Sequence, residues 1–164
     1  MSFKFLLAAV AALSMVGTAQ AKPADSPKVF SSVRQDDVLT RMFVWWDAAF
    51  KDPHGFTPEA FSRYYTPDAV MRINGTDRAK GLNALAERFR MIQAKTSMVE
   101  IKVPFVESFS SPDGSRIFTY HLIDAIEDGK PSHEMVMGYA TIRDGKIALI
   151  NFLSVTGEPG PFTK

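Results

Sequence analysis

Phe61-Ser-Arg-Tyr-Tyr-Thr-Pro-Asp-Ala-Val-Met-Arg-Ile-Asn-Gly75, followed by Gly81 and a helical run to Phe89, is the stretch that decides the fold. Thr57-Pro58-Glu59 starts a helix, with threonine at the N-cap and proline where its missing N–H costs nothing. That helix runs from Glu59 to Tyr65 and stops at Thr66-Pro67, since proline cannot continue it. A short strand is expected from Ala69 to Ile73, and Asn74-Gly75 turns the chain. The turn leads to a third helix marked by Leu82, Leu85, Ala86, Phe89 and Ile92, ending near Lys95.

Upstream, Asp36 and Asp37 head a helical stripe of Leu39, Met42, Phe43, Trp46, Ala49 and Phe50, which Asp52-Pro-His-Gly55 breaks. The three- and four-residue spacing describes a helix buried on one face. Downstream of Met98 the period changes to two. Val99, Ile101, Val103, Phe105 and Phe109 alternate with polar residues, and Pro104 argues for an edge or a bulge. Strands over 116–127, 133–143 and 147–155 follow. Their connectors, Ser111-Pro-Asp-Gly-Ser115, Asp128-Gly-Lys-Pro131 and Asp144-Gly145, are hairpin signals. Three helices, a short strand and an antiparallel meander make an α+β fold.

This order, from the 61–75 stretch through the third helix to Arg143-Asp-Gly-Lys-Ile147, resembles the NTF2-like superfamily and, within it, the SnoaL-like proteins. The resemblance covers residues 34–155. It implies three N-terminal helices packed on a curved antiparallel or mixed sheet, forming a cone whose open end is a pocket. It also implies a small apolar or aromatic ligand, with acid/base chemistry of the lyase, isomerase or cyclase kind. The alternative is a non-catalytic dimeric binding module of the cell envelope. Ketosteroid isomerases of this fold carry a catalytic aspartate near 69–75, where this chain has Met71, Arg72, Ile73 and Asn74.

Composition bounds the setting. Lys4, the apolar run Phe5–Val16 and Ala19-Gln20-Ala21 read as a signal peptide over residues 1–21, with Lys22 as the mature N-terminus. The expected product is periplasmic or secreted, without a stable membrane anchor. There is no cysteine for a lipid anchor or a disulfide. Residues 22–33, with Pro23 and Pro27, read as a flexible lead-in, and 156–164 as an irregular tail. Lys4 is the only charge in 1–21, so the 19 Lys+Arg fall to 18 against 18 Asp+Glu. That balance argues against a nucleic-acid partner. Histidines at 54, 121 and 133 show no metal-ligand spacing, and no cofactor motif is present.

The candidate functional residues are ionisable or polar groups on apolar segments. His121 and Asp124, three apart on one strand, face opposite ways, so the preceding hairpin decides between them. A three-residue loop closed by Ser111 and Ser115 makes paired residue numbers sum to 226. Phe105 then pairs with His121, which becomes the catalytic candidate on the inner face. A four-residue loop puts Tyr120 and Asp124 there instead. Trp46, Tyr65, Phe105, Tyr120 and Asn151 are the candidate ligand contacts, with plain core packing the competing role for the aromatics and a structural amide for Asn151. Both faces of the 116–127 strand are apolar, so the sheet is expected to form a homodimer.

Overall fold

Residues 36–157 are described by a computed structural model. The expected signal peptide, the lead-in and the tail beyond Gly157 lie outside the described residues. Helix α1 (Val38–Phe50) opens on Asp37, whose carboxylate accepts from the Leu39 and Thr40 amides at 2.7 and 3.0 Å. Those bonds satisfy two of the free N–H groups of a first helical turn. Helix α2 (Pro58–Ser62) is capped by the Thr57 hydroxyl, as the sequence predicts. Strand β1 (Tyr65–Ile73) and strand β2 (Thr76–Lys80) form a hairpin, and Gly81 introduces helix α3 (Leu82–Lys95). Strands β3 (Thr96–Ile101), β4 (Glu107–Ser110), β5 (Arg116–Glu127), β6 (Lys130–Arg143) and β7 (Lys146–Thr156) complete the chain.

The sheet has the order β2-β1-β7-β6-β5-β3, with β4 also pairing to β5. Only β1 and β7 run parallel. The sheet curls as a half-barrel. Alternation sorts its residues cleanly. Ala69, Met71, Ile117, Thr119, His121, Val136, Ala140 and Ile150 are buried on the inner face, against the helices. A second layer of rings fills the space between helices. Phe61 lies 5.0 to 5.9 Å from Trp45, Phe56, Tyr65 and Phe89, and Trp46 stacks on Phe50 at 5.2 Å.

Several boundaries differ from expectation. Helix α2 is one turn shorter, and Tyr65 already belongs to β1. Its side chain is completely buried under α1 and α2, so tertiary packing overrides the local helical spacing. Strand β2 has only Ala79 buried and carries Asp77, Arg78 and Lys80, the charged composition of an edge. The expected continuous strand from Val99 to Phe109 is two strands, β3 and β4, separated at Lys102–Val106 around Pro104. Proline offers no N–H to the ladder, which favours a break there.

Candidate ligand site around His121

The predicted hairpin register is wrong. Phe109 pairs with Phe118 and Ser108 with Thr119, so the sum is 227, and Ser111 closes against Arg116 over a four-residue loop. Gly114 is left-handed as expected, at φ +68°. On β3, however, Ile101 pairs with Ile123 and Val99 with Ala125, a sum of 224. The break between β3 and β4 changes which residues face inward. Val99 and Ile101 point to the helices, whereas Phe109 points outward and stacks on Phe118 at 4.9 Å.

His121 therefore faces the interior, and Asp124 the outer face. The His121 side chain is 0% exposed. Rings of Phe43 from α1, Phe105 from the β3–β4 connection and Phe152 from β7 surround it, with centroids at 5.2, 5.6 and 5.6 Å. Its Nδ1 lies 3.1 Å from the Thr119 hydroxyl, two residues back on the same face. Its Nε2 is buried and has no hydrogen-bond partner among the described residues. Burial disfavours the charged form and pushes the imidazole down to about 4, so the ring is neutral near pH 7.

The other candidates separate into two groups. Trp46 and Tyr65 lie inside, in the aromatic layer. Among the described residues the buried Trp46 Nε1 has no partner, and the Tyr65 hydroxyl meets only the Met42 sulfur, at 3.6 Å. Burial raises the Tyr65 hydroxyl pKa and keeps it protonated. Phe105 touches the His121 ring, through its loop rather than through the predicted strand pairing.

Tyr120 and Asn151 lie on the opposite face. Tyr120 pairs with Met137 and Glu107, and Asn151 sits between Tyr139 and Arg72 in the register. Because Ile150 and Phe152 point inward, Asn151 points out. Neither lies on the face that carries His121. Asp124 is held by Lys102 at 2.9 Å and His133 at 2.8 Å, both of which lower its pKa, Lys102 more. It is a surface ion-pair residue.

Sequence reading missed Thr119 and Gly138. A threonine two residues from a histidine on one strand face is a weak signal, and nothing in sequence reveals which glycine faces it. A groove at the C-terminal end of α1, lined by Lys51, Arg90, Gln93 and Thr96, is separate from this site. There Gln93 and Arg90 already donate to the carbonyls of Phe50, Asp52 and Phe56.

The half-barrel with β1 returned beside β7, and helices filling its inner face, matches known structures over most of the described chain. An NTF2-like protein of Exiguobacterium sp. 255-15 superposes with a TM-score of 0.61 at 20% identity, over 72% of this chain and 98% of that one. The fold is NTF2-like. A protein of Jannaschia sp. CCS1 assigned as a SnoaL-like polyketide cyclase aligns at TM-score 0.58 and 10% identity, over 71% of this chain and 82% of its own. An M. tuberculosis LEH-like epoxide hydrolase aligns at TM-score 0.51 and 17% identity, over 68% and 84%. No protein-family model and no curated protein matches the sequence. Within this NTF2-like fold the His121 ring is enclosed by Phe43, Phe105 and Phe152. No group of three or more potential metal ligands occurs among the described residues.

Proposed function

We propose that this chain binds a small apolar or aromatic molecule between its helices and sheet, with His121 as the polar group that orients it. The observation that carries this reading is a fully buried imidazole whose Nε2 lacks a partner among the described residues, inside a ring of three phenylalanines. An unmet buried polar group costs about 1–3 kcal/mol, and a ligand that supplies the missing bond offsets that cost. Mostly apolar surroundings with a few placed polar groups are the usual form of small-molecule sites. The likeness to a protein assigned as a SnoaL-like polyketide cyclase supports cyclase chemistry as the reaction class to test. The leader-like residues 1–21 support a periplasmic or secreted setting.

Mass spectrometry of the exported protein under native conditions is expected to reveal a bound organic molecule. Replacing His121 with Gln is expected to weaken its retention about tenfold, the scale of one hydrogen bond, with the fold intact. Wild-type protein that copurifies with nothing and binds no aromatic probe would overturn the reading.

The outer face of the sheet supports a homodimer. Met137, Leu153 and Val155 are 60, 56 and 60% exposed there, beside the Phe109, Phe118 and Tyr139 rings. A contiguous apolar face is unusual on a monomer. Sedimentation at micromolar concentration is expected to give a dimer, and Leu153→Glu a monomer, since the carboxylate would be buried unpaired. A monomeric wild type would refute this assembly. The alternative function, a non-catalytic interaction module of the cell envelope, rests on this same face.

A further inference from the structure

We infer that Thr119 holds His121 in the tautomer protonated at Nε2, so that the buried ring offers the ligand a hydrogen-bond donor, and that the ligand carries an acceptor oxygen such as a carbonyl. The inference deepens the ligand reading above and rests on it for the second half. Its first half rests on hydrogen bookkeeping around three atoms. Thr119 and His121 are both buried on the inner face of β5, with Oγ1 and Nδ1 at 3.1 Å. Among the described residues, that nitrogen is the only partner of the Thr119 hydroxyl.

Two arrangements fit the distance. If the hydroxyl donates to Nδ1, the neutral ring carries its proton on Nε2, and that N–H and the hydroxyl oxygen's lone pairs remain unmet. If Nδ1–H donates to the hydroxyl oxygen, the hydroxyl hydrogen has no acceptor and the Nε2 lone pair no donor. Each arrangement leaves one donor and one acceptor unmet, but the acceptor left over is a hydroxyl oxygen in the first and the far more basic imidazole nitrogen in the second, which costs more. The first is therefore the resting state. The buried Nε2 is then an N–H, and an apolar molecule with an acceptor oxygen satisfies it. The neutral ring follows from burial, which pushes the imidazole down to about 4.

Gly138 makes the arrangement possible. It lies directly across from Thr119 on β6. A Cβ built on it would fall on the Thr119 hydroxyl oxygen and 3.2 Å from the Phe152 ring. Without a side chain there, the hydroxyl settles toward Nδ1 and Phe152 closes over the imidazole. Thr119 and Gly138 are thus positioning residues, acting through His121.

The test uses the full chain, with histidine labelled by nitrogen-15. Long-range proton–nitrogen correlation reads the tautomer of His121, assigned by its loss in the His121→Gln variant. Wild-type protein at pH 7 is expected to show the Nε2–H form alone. Thr119→Val should give a mixture of tautomers, Thr119→Ser should restore the single form, and Gly138→Ala should resemble Thr119→Val. A wild-type ring protonated at Nδ1, or a Thr119→Val ring unchanged from wild type, would overturn the assignment.

Acetophenone and α-methylstyrene, alike in shape but with a carbonyl oxygen only in the first, probe the ligand. Wild type is expected to prefer acetophenone about tenfold, the worth of one buried hydrogen bond. That preference should fall in Thr119→Val and return in Thr119→Ser. Equal binding of the two probes would overturn the donor role. Binding of neither would instead defeat the ligand reading, with the nitrogen signals still judging the tautomer on their own.

Discussion

Phe61→Ala is expected to destabilise the protein by about 3–5 kcal/mol, the range for truncating a fully buried aromatic residue. Phe61 is 0% exposed and sits at the centre of the aromatic layer. It stacks on Phe56 and Phe89 and meets Trp45 edge-on and Tyr65 at a tilt. Such pairs contribute about 0.5–1.5 kcal/mol beyond the burial of area. The side chain comes from α2, which has only five residues and too few internal hydrogen bonds to persist alone. Removing the ring therefore frees the helix as well as opening a cavity. Urea unfolding of wild type and variant measures the difference. A cost under about 1 kcal/mol would show that the surrounding rings collapse into the space.

Acid is expected to destabilise the protein through His121. The native imidazole titrates at about 4 instead of the ordinary 6.5, because burial disfavours its charged form. Above pH 6.5 neither the folded nor the unfolded chain binds this proton, and stability is at its full value. Between pH 6.5 and about 4 the unfolded chain takes up a proton that the folded one refuses, so stability falls with pH. At about 1.4 kcal/mol per pH unit the loss reaches about 3 kcal/mol near pH 4. Below that both states are protonated and this group adds nothing more. His121→Gln should flatten the curve across the window. Asp113, held at about 2 by the Ser111 hydroxyl and by Ser115, acts at lower pH, through the carboxylate range. A wild-type curve that coincides with that of His121→Gln from pH 7 to 4.5 would contradict the buried neutral imidazole.

The inward orientation of His121 was predicted from a hairpin register that the structure does not have. The four-residue loop alone would have sent His121 outward if β3 and β4 were one strand. The break around Pro104 shifts the pairing by an odd number of residues, and the two errors cancel in β3. Alternation was legible from Met98 onward, but the loop length and the break were not, because both depend on backbone geometry that composition leaves open. The same gap misplaced Phe109, and with it the second side of the sheet.

Long periodic segments were readable: α1, α3, β5, β6 and β7 lie close to where spacing put them, since each buries one consistent face. Tyr65 and β2 were not, because their state is set by what covers them. For the candidate site, an ionisable residue on an apolar strand was enough to raise His121. Thr119 and Gly138 became visible only when three strands lay side by side. Tyr120 and Asn151 lie on the outer face, which a residue's type and strand alone do not reveal, since one residue's shift sends a strand side chain to the other face.

The parallel pairing of β1 with β7 has a consequence for how the chain is made. Met71 lies beside Ile150, 79 residues later, so the β1–β2 hairpin cannot join the rest of the sheet until β7 exists. A ribosome-bound chain that lacks Lys146–Thr156 leaves β1 paired to β2 alone and one edge of β6 bare. Closure of so long a loop comes late and slowly, and unpaired strand edges invite association with other chains. The nascent chain thus spends most of its synthesis with the sheet in two unjoined pieces, β1 with β2 and β3 to β6, a state open to capture by holding chaperones.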